Sequence, residues 1–210
     1  ICSRMIFCML FNIDCVAYTQ FILDLWSTYD RTLFRGFSTR ESNILLKAYK
    51  TYIRPIFDYA SNVWSPYHLK YINAIERVQR NFTKRIPSLS NLSYAERLAM
   101  LDLETLECRR LKADLTMYYK IINNLTVFNS STYFEFNVHV RDTRLAADSN
   151  SYCINKPFCR TSCFQNDFFQ RCILCWNSLP NTVVQSSCLK LFKSELNKIN
   201  LSDFLKYQLL

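Results

Sequence analysis

Lys70, Arg77, Arg80 and Lys84 recur at helical spacing in a stretch that holds one acid, Glu76. At about 100° per residue, with Lys70 at zero, these cations span about −80° to 0°. Ile72, Ile75, Val78, Phe82 and Ile86 span about 80° to 200°, the opposite side. Arg85 adds a further charge at the end of the run. A second set, Arg109, Lys112 and Lys120, lies across a helix from Leu111, Leu115, Tyr118 and Ile122, with Glu107 and Asp114 between the two stripes. A row of cations can neutralise successive phosphates and release their condensed counterions. Any amphipathic helix shows charge to water, but charge of one sign fits a polyanion better than mixed charge does. No base-reading motif accompanies either row, so neither is assigned base readout.

Other constellations are weaker. Cys159-x3-Cys163 and Cys172-x2-Cys175 have the residue types of a zinc site, which needs four thiolate or imidazole ligands in a tetrahedron. The second pair sits in a helical apolar pattern without glycine or proline to form a knuckle, so its thiols read as small buried hydrophobes. His68 and His139 are far apart and carry no catalytic signature. Trp64, Tyr67 and Tyr71 are candidates to stack on bases, with core packing the commoner role of such rings. Glu104 and Glu107 read as helix-surface acids rather than an acid/base pair.

Composition narrows the classes. The single glycine, Gly36, excludes a Walker loop, a dinucleotide fingerprint and a kinase glycine loop, whose backbones turn tightly around phosphate. Half of the 210 residues are hydrophobic, enough for a packed core. The net charge is +9, and residues 1–30 carry only Arg4 against Asp14, Asp24 and Asp30, so the remainder carries +11. That field suits a polyanion or an acidic surface. Ten cysteines without a recognisable secretory signal lead to the expectation of reduced thiols, inside the cell, in cytoplasm or nucleus. The apolar run Met5 to Phe11 is too short to span a bilayer, so no membrane partner is expected. A start at Ile1 leads to the expectation of a fragment.

The elements that must position these residues are helices. Ser38 and Glu41 read as a capping box, followed by a helical pattern from Leu45 to Ile56 that Pro55 should kink. Ser65 and Pro66 read as the N-cap and first residue of a helix over 67–86, ending before Pro87. Ser93 and Glu96 form a second capping box before a short helix to Leu101, and a longer helix is expected over 106–123. Phe134, Phe136, Val138 and Val140 alternate with polar residues as in a half-buried strand. Asn166 or Asp167 should cap a helix through Trp176, and Ser187 a last one with Leu189, Phe192, Leu196 and Ile199 on one side. The expected fold is mainly α: a thumb-like helical bundle with a small β/loop insertion and C-terminal helices. Its segments are an unassigned apolar stretch at 1–30, a helical region at 31–125, a strand/loop segment at 126–165 and a helical segment at 166–210.

Residues 45–89 and 92–115 carry Tyr52-Ile53-Arg54-Pro55, Asp58-Tyr59, Val63-Trp64-Ser65-Pro66, Ile75-Glu76-Arg77-Val78-Gln79-Arg80, Thr83-Lys84-Arg85 and Leu106-Glu107-Cys108-Arg109-Arg110. Further on come Phe168-Phe169, Arg171, Trp176-Asn177-Ser178-Leu179-Pro180 and Leu191-Phe192-Lys193. This series resembles the region that follows the polymerase palm in non-LTR retrotransposon reverse transcriptases of the jockey and LINE type, over about residues 31–205, with 124–165 the weakest stretch. The resemblance implies a non-catalytic thumb and connection of an RNA-directed DNA polymerase. Its implied partners are an RNA template, an RNA–DNA or DNA duplex, and the missing palm and fingers of the same polyprotein. The family's two Mg²⁺ ions bind palm aspartates, and this chain has no Asp-Asp pair, so it is expected to hold no cofactor and to be inactive alone. The nucleic-acid-binding residues would be Lys70, Arg77, Arg80, Lys84, Arg85, Arg109, Lys112 and Lys120. Family glycines near Ser88 and Asp102, and a Thr-Arg-Gly-His run, are replaced here, the last by Thr143-Arg144-Leu145-Ala146. Those losses and the missing palm point to a truncated or decaying genomic copy. The alternative is a helical module that docks to protein through exposed aromatics such as Trp64.

Overall fold

Apolar residues at helical spacing and the scarcity of glycine give a chain of helices, as expected. The computed structural model describes residues 17–24, 41–137 and 150–207. Helix α1 covers residues 17–24. It is followed by α2 (Ser42–Ala48), α3 (Arg54–Asp58), α4 (Ser61–Trp64), α5 (Leu69–Lys84), α6 (Tyr94–Leu101) and α7 (Leu106–Ile122). Then come α8 (Ser130–Tyr133), α9 (Ser162–Gln165), α10 (Phe168–Arg171), α11 (Ile173–Asn177), α12 (Asn181–Val184) and α13 (Leu189–Leu196). Two compact units emerge: Asn12–Arg110 with Leu205–Leu210, and Ile1–Phe11 with Leu111–Phe204.

In the first of these units, Leu45, Tyr49, Ile53, Phe57, Trp64, Ile75, Val78, Phe82 and Ile86 form one core. The apolar stretch 1–30 carries no readable role in its pattern, yet Ile22 is buried in this core and the Tyr18 ring lies 5.2 Å from Trp64. Pro55 acts where expected. It has no N–H for the carbonyl of Thr51, and the preceding turn, Tyr49–Ile53, is π-helical before α3 resumes. Ser65 is not an N-cap but closes α4, and α5 starts three residues beyond Pro66, with His68 as N-cap. Glu41 is the N-cap of α2 rather than its third residue, and Ser38 lies outside the described residues. The Ser93–Glu96 box is complete: the Ser93 N–H donates to Glu96 Oε2 at 2.7 Å, and the Glu96 N–H donates to Ser93 Oγ at 3.3 Å.

Helices α6 and α7 both end in Schellman turns. Asp102 takes φ 49°, with its N–H on Ala99 O and the Leu103 N–H on Leu98 O. Asn124 takes φ 54°, with its N–H on Ile121 O and the Leu125 N–H on Lys120 O. The turn near Asp102, where the resemblance leads to the expectation of a glycine, thus contains a left-handed residue. Ser88 lies in a 3₁₀ turn, Pro87–Leu89, and has no positive φ.

The second unit is built on Leu115, Tyr118, Tyr119, Ile122, Phe168, Phe169, Ile173, Trp176, Phe192 and Leu196. Leu189 and Ile199 pack on this core half-buried, completing the side of α13 read from sequence, though its N-cap is Cys188 rather than Ser187. Asp167 is the N-cap of α10, and the helix expected through Trp176 breaks at Cys172 into α10 and α11. The expected strand reduces, among the described residues, to one antiparallel bridge between Phe136 and Ile154. Val138, Val140, His139 and Thr143-Arg144-Leu145-Ala146 lie outside the described residues. No second ladder forms beside Ile154 because its N–H donates to Asn177 Oδ1 at 2.9 Å and its carbonyl accepts from Asn177 Nδ2 at 2.8 Å. One side-chain amide thus satisfies the edge that a further strand would cover.

Candidate nucleic-acid interface

Helix α5 owes its orientation to an apolar seam flanked by buried polar residues. Ile72, Ile75, Val78 and Phe82 are buried, as their spacing predicts. The buried arc is wider than the apolar residues alone indicate, because Glu76, Gln79 and Thr83 are fully buried beside them. In the linear pattern Glu76 falls at the edge of the exposed cations. Instead its carboxylate turns inward, accepting from the Tyr94 hydroxyl and from the Leu106 N–H at 2.9 Å. Burial pushes its pKa up, while the Tyr94 hydrogen bond, the nearby Arg110 charge and the Leu106 N–H act in the opposite direction. Gln79 accepts from the Tyr49 hydroxyl at 2.6 Å and donates to the Tyr94 hydroxyl at 3.0 Å and the Glu104 carbonyl at 2.9 Å. Arg97 donates to Thr83 Oγ1 at 3.1 Å and to the Leu92 carbonyl at 2.6 Å. This buried network fixes the rotation of α5 about its axis, since a turn of the helix would strand several polar groups at once.

With that rotation set, Lys70, Arg77, Arg80, Lys84 and Arg85 are all exposed. Arg77 and Lys84 have no ion-pair partner among the described residues, and the Lys70 ammonium lies 4.6 Å from the centre of the Tyr71 ring. Arg77, Arg80 and Lys84 open onto a concavity of about 970 Å³ between α5, the start of α6 and the chain near Lys206. Among the described residues, its wall holds the cations Arg77, Arg80, Lys84, Arg97 and Lys206, the amides Asn73 and Asn81, and no carboxylate. Lys70 and Arg85 stand outside this wall.

The other candidates fare differently. Arg109, expected on an outward face, is half-buried, and its guanidinium donates to Asp58 Oδ2 at 2.6 Å and Oδ1 at 3.3 Å. Burial by itself would lower its pKa, but the Asp58 hydrogen bond and charge prevail and raise it. Its charge is neutralised within the unit, so it is withdrawn from the phosphate-binding set. Lys112 and Lys120 belong to the other unit, where Lys112 Nζ donates to Asn197 Oδ1 at 3.1 Å. Asp114, expected on the flank of α7, is buried and takes both ends of the Arg171 guanidinium at 2.8 Å.

Trp64 is fully buried, its indole N–H donating to the Tyr59 carbonyl at 2.6 Å, so it offers neither a stacking surface nor an exposed docking ring. Tyr67 and Tyr71 are half-buried. Cys172 and Cys175 are buried in the second core, and burial, with the Asp114 charge, pushes the Cys172 thiol pKa up. Among the described residues, no three His, Cys, Asp or Glu side chains converge as a metal-binding group. Among those residues too, no helix is long and apolar enough to cross a membrane.

Sequence reasoning missed Lys206, which lies more than a hundred residues from α5 and carries no periodic signal. It also missed the inward turn of Glu76, Gln79 and Thr83, whose spacing of three and four residues was the available clue.

No family model matches the chain, and no solved structure does. The chain is similar to an uncharacterized protein of Caenorhabditis elegans, B0403.1, with 26% identity over 96 residues. The match covers 44% of this chain and 48% of the relative, so the chain spans about half the length of the relative it matches.

Proposed function

We propose that the chain is a non-catalytic nucleic-acid-holding region, the thumb and connection of a non-LTR reverse transcriptase, and that it grips template and product duplex through the concavity beside α5. The observation that carries this reading is a wall that, among the described residues, has five cations and no carboxylate. Such a wall attracts phosphates at any sequence and gains from counterion release. The motif series in the sequence supplies the family. Polymerisation, with its Mg²⁺ ions, would belong to a palm outside this chain, and the setting would be cytoplasm or nucleus. The protein-docking alternative loses Trp64, its named example, to burial, while Tyr52, Tyr59 and Phe158 stay exposed.

Fluorescence anisotropy with a labelled RNA–DNA duplex tests the proposal. Wild-type protein should bind with an affinity that falls steeply between about 50 and 200 mM salt. Reversing Arg77, Arg80 and Lys84 to glutamate should weaken binding and flatten the salt slope by about 0.9 for each phosphate no longer neutralised. Equal slopes for the two proteins would refute the placement.

A further inference from the structure

The chain near its C-terminal end is fastened to the wall that the α5 cations form. The N–H groups of Lys206 and Tyr207 donate to the two carboxylate oxygens of Glu107, at 3.1 and 2.7 Å. Lys206 Nζ donates to the Tyr67 carbonyl at 3.0 Å. The Tyr207 hydroxyl accepts from the Arg80 guanidinium, and the Tyr207 ring is buried against Ile72, Tyr94 and Leu98. Arg80 lies between two rings, 5.5 Å from the centre of Tyr94 and 5.6 Å from that of Tyr207. All of these residues fall within one compact unit.

These interactions have separable effects. The Glu107 clasp fixes backbone, not side chains, so it sets where residues 206 and 207 lie whatever their side chains do. Tyr207 then orders Arg80, whose long side chain would otherwise lose considerable rotamer freedom on binding a ligand. The Lys206 ammonium remains exposed and adds a cation that no residue of α5 supplies.

We infer that residues 206–207 form a strap that completes the anion-binding wall: Lys206 touches a phosphate of the bound strand, Tyr207 presets Arg80, and Glu107 is the positioning residue that holds the strap in place. This rests on the nucleic-acid reading above. It assigns a binding role to a segment outside α5 and makes an acid necessary for anion binding.

The experiment is a salt titration of RNA–DNA duplex affinity for the full chain, comparing wild type with Lys206→Gln, Glu107→Gln and the double variant. Lys206→Gln should weaken binding and reduce the salt slope by about 0.9, the value for a single phosphate. Glu107→Gln removes a negative charge, so simple electrostatics predicts tighter binding; the strap predicts weaker binding and the same drop in slope. The double variant should be no worse than Glu107→Gln alone, because release of the strap already frees the phosphate that Lys206 would touch. Amide exchange at Lys206 and Tyr207 should be slow in wild type and accelerated in Glu107→Gln, with the amides of α5 unchanged, which separates release of the strap from unfolding. If wild type binds and the Arg77, Arg80 and Lys84 reversals abolish binding while Lys206→Gln and Glu107→Gln leave the slope unaltered, the strap is wrong and the nucleic-acid reading stands. Tighter binding by Glu107→Gln also overturns the strap. A wild-type chain that binds no duplex overturns both.

Discussion

Asp102 holds φ 49° at the end of α6, a conformation that brings a β-carbon close to its own backbone and that glycine adopts freely. Its side chain is exposed, so replacement removes strain without opening the core. Asp102→Gly should raise stability by about 0.5–1 kcal/mol in urea denaturation, after the extra freedom glycine gives the unfolded chain is subtracted. A drop in stability would mean that the Asp102 side chain does more than tolerate the turn. Glu76 gives a pH-dependent test. Burial raises its folded-state pKa above the ordinary value of 4.5, so the folded chain holds the proton more tightly than the unfolded chain does. Its contribution is therefore full below about pH 4.5 and is lost as pH rises through the higher folded value. Glu76→Gln should remove that downward component when unfolding midpoints are plotted against pH. Parallel profiles for variant and wild type would show that Arg110, Tyr94 and Leu106 fully offset the burial.

At the scale of elements, α5 is a rod with three kinds of side. One is apolar, one is buried and polar, and one carries exposed cations. Only the middle side sets the rotation sharply, because an apolar seam tolerates small turns whereas hydrogen bonds to Gln79 and Glu76 do not. Helix α6 supplies Tyr94 and Arg97 to that network, so its start matters to the site. Its capping box satisfies the Glu96 N–H and holds the first turn. Ser93→Ala should cost about 1 kcal/mol of stability by loosening the first turn of α6. Stability unchanged to within a few tenths, measured by urea denaturation, would show that neighbouring interactions fix the first turn without the cap.

The molecule as a whole has a large positive charge, but the charge is usable only where tertiary structure leaves it so. Arg109 and Arg171 are as basic as Arg77, yet each is committed to a carboxylate, Asp58 and Asp114. The Asp114–Arg171 pair joins α7 to α10 within the second unit, and the Asp114 side chain is only 4% exposed. Asp114→Asn would leave a buried guanidinium without its countercharge and should cost about 3–5 kcal/mol, read as a lower urea midpoint. A cost under about 1 kcal/mol would show that water reaches the pair.

Local chemistry alone determined much of this. Apolar spacing set α5 and α7 to within a few residues, the Ser93–Glu96 pair marked the start of α6, and Pro55 disturbed the helix where its missing N–H demands it. The side of α5 that carries Lys70, Arg77, Arg80 and Lys84 was also legible, because a hydrophobic seam must point inward wherever the helix packs. What tertiary structure decided was the fate of each polar group near that seam. Glu76 and Arg109 look like surface charges in a linear pattern, and only partners 18 and 51 residues away, Tyr94 and Asp58, draw them in. The same holds for Lys206, brought to the wall by a clasp to Glu107 about a hundred residues earlier. Periodicity reports which side of an element avoids water; it carries no information about which distant donor will meet which acceptor, and that pairing selects the cations left to bind a ligand.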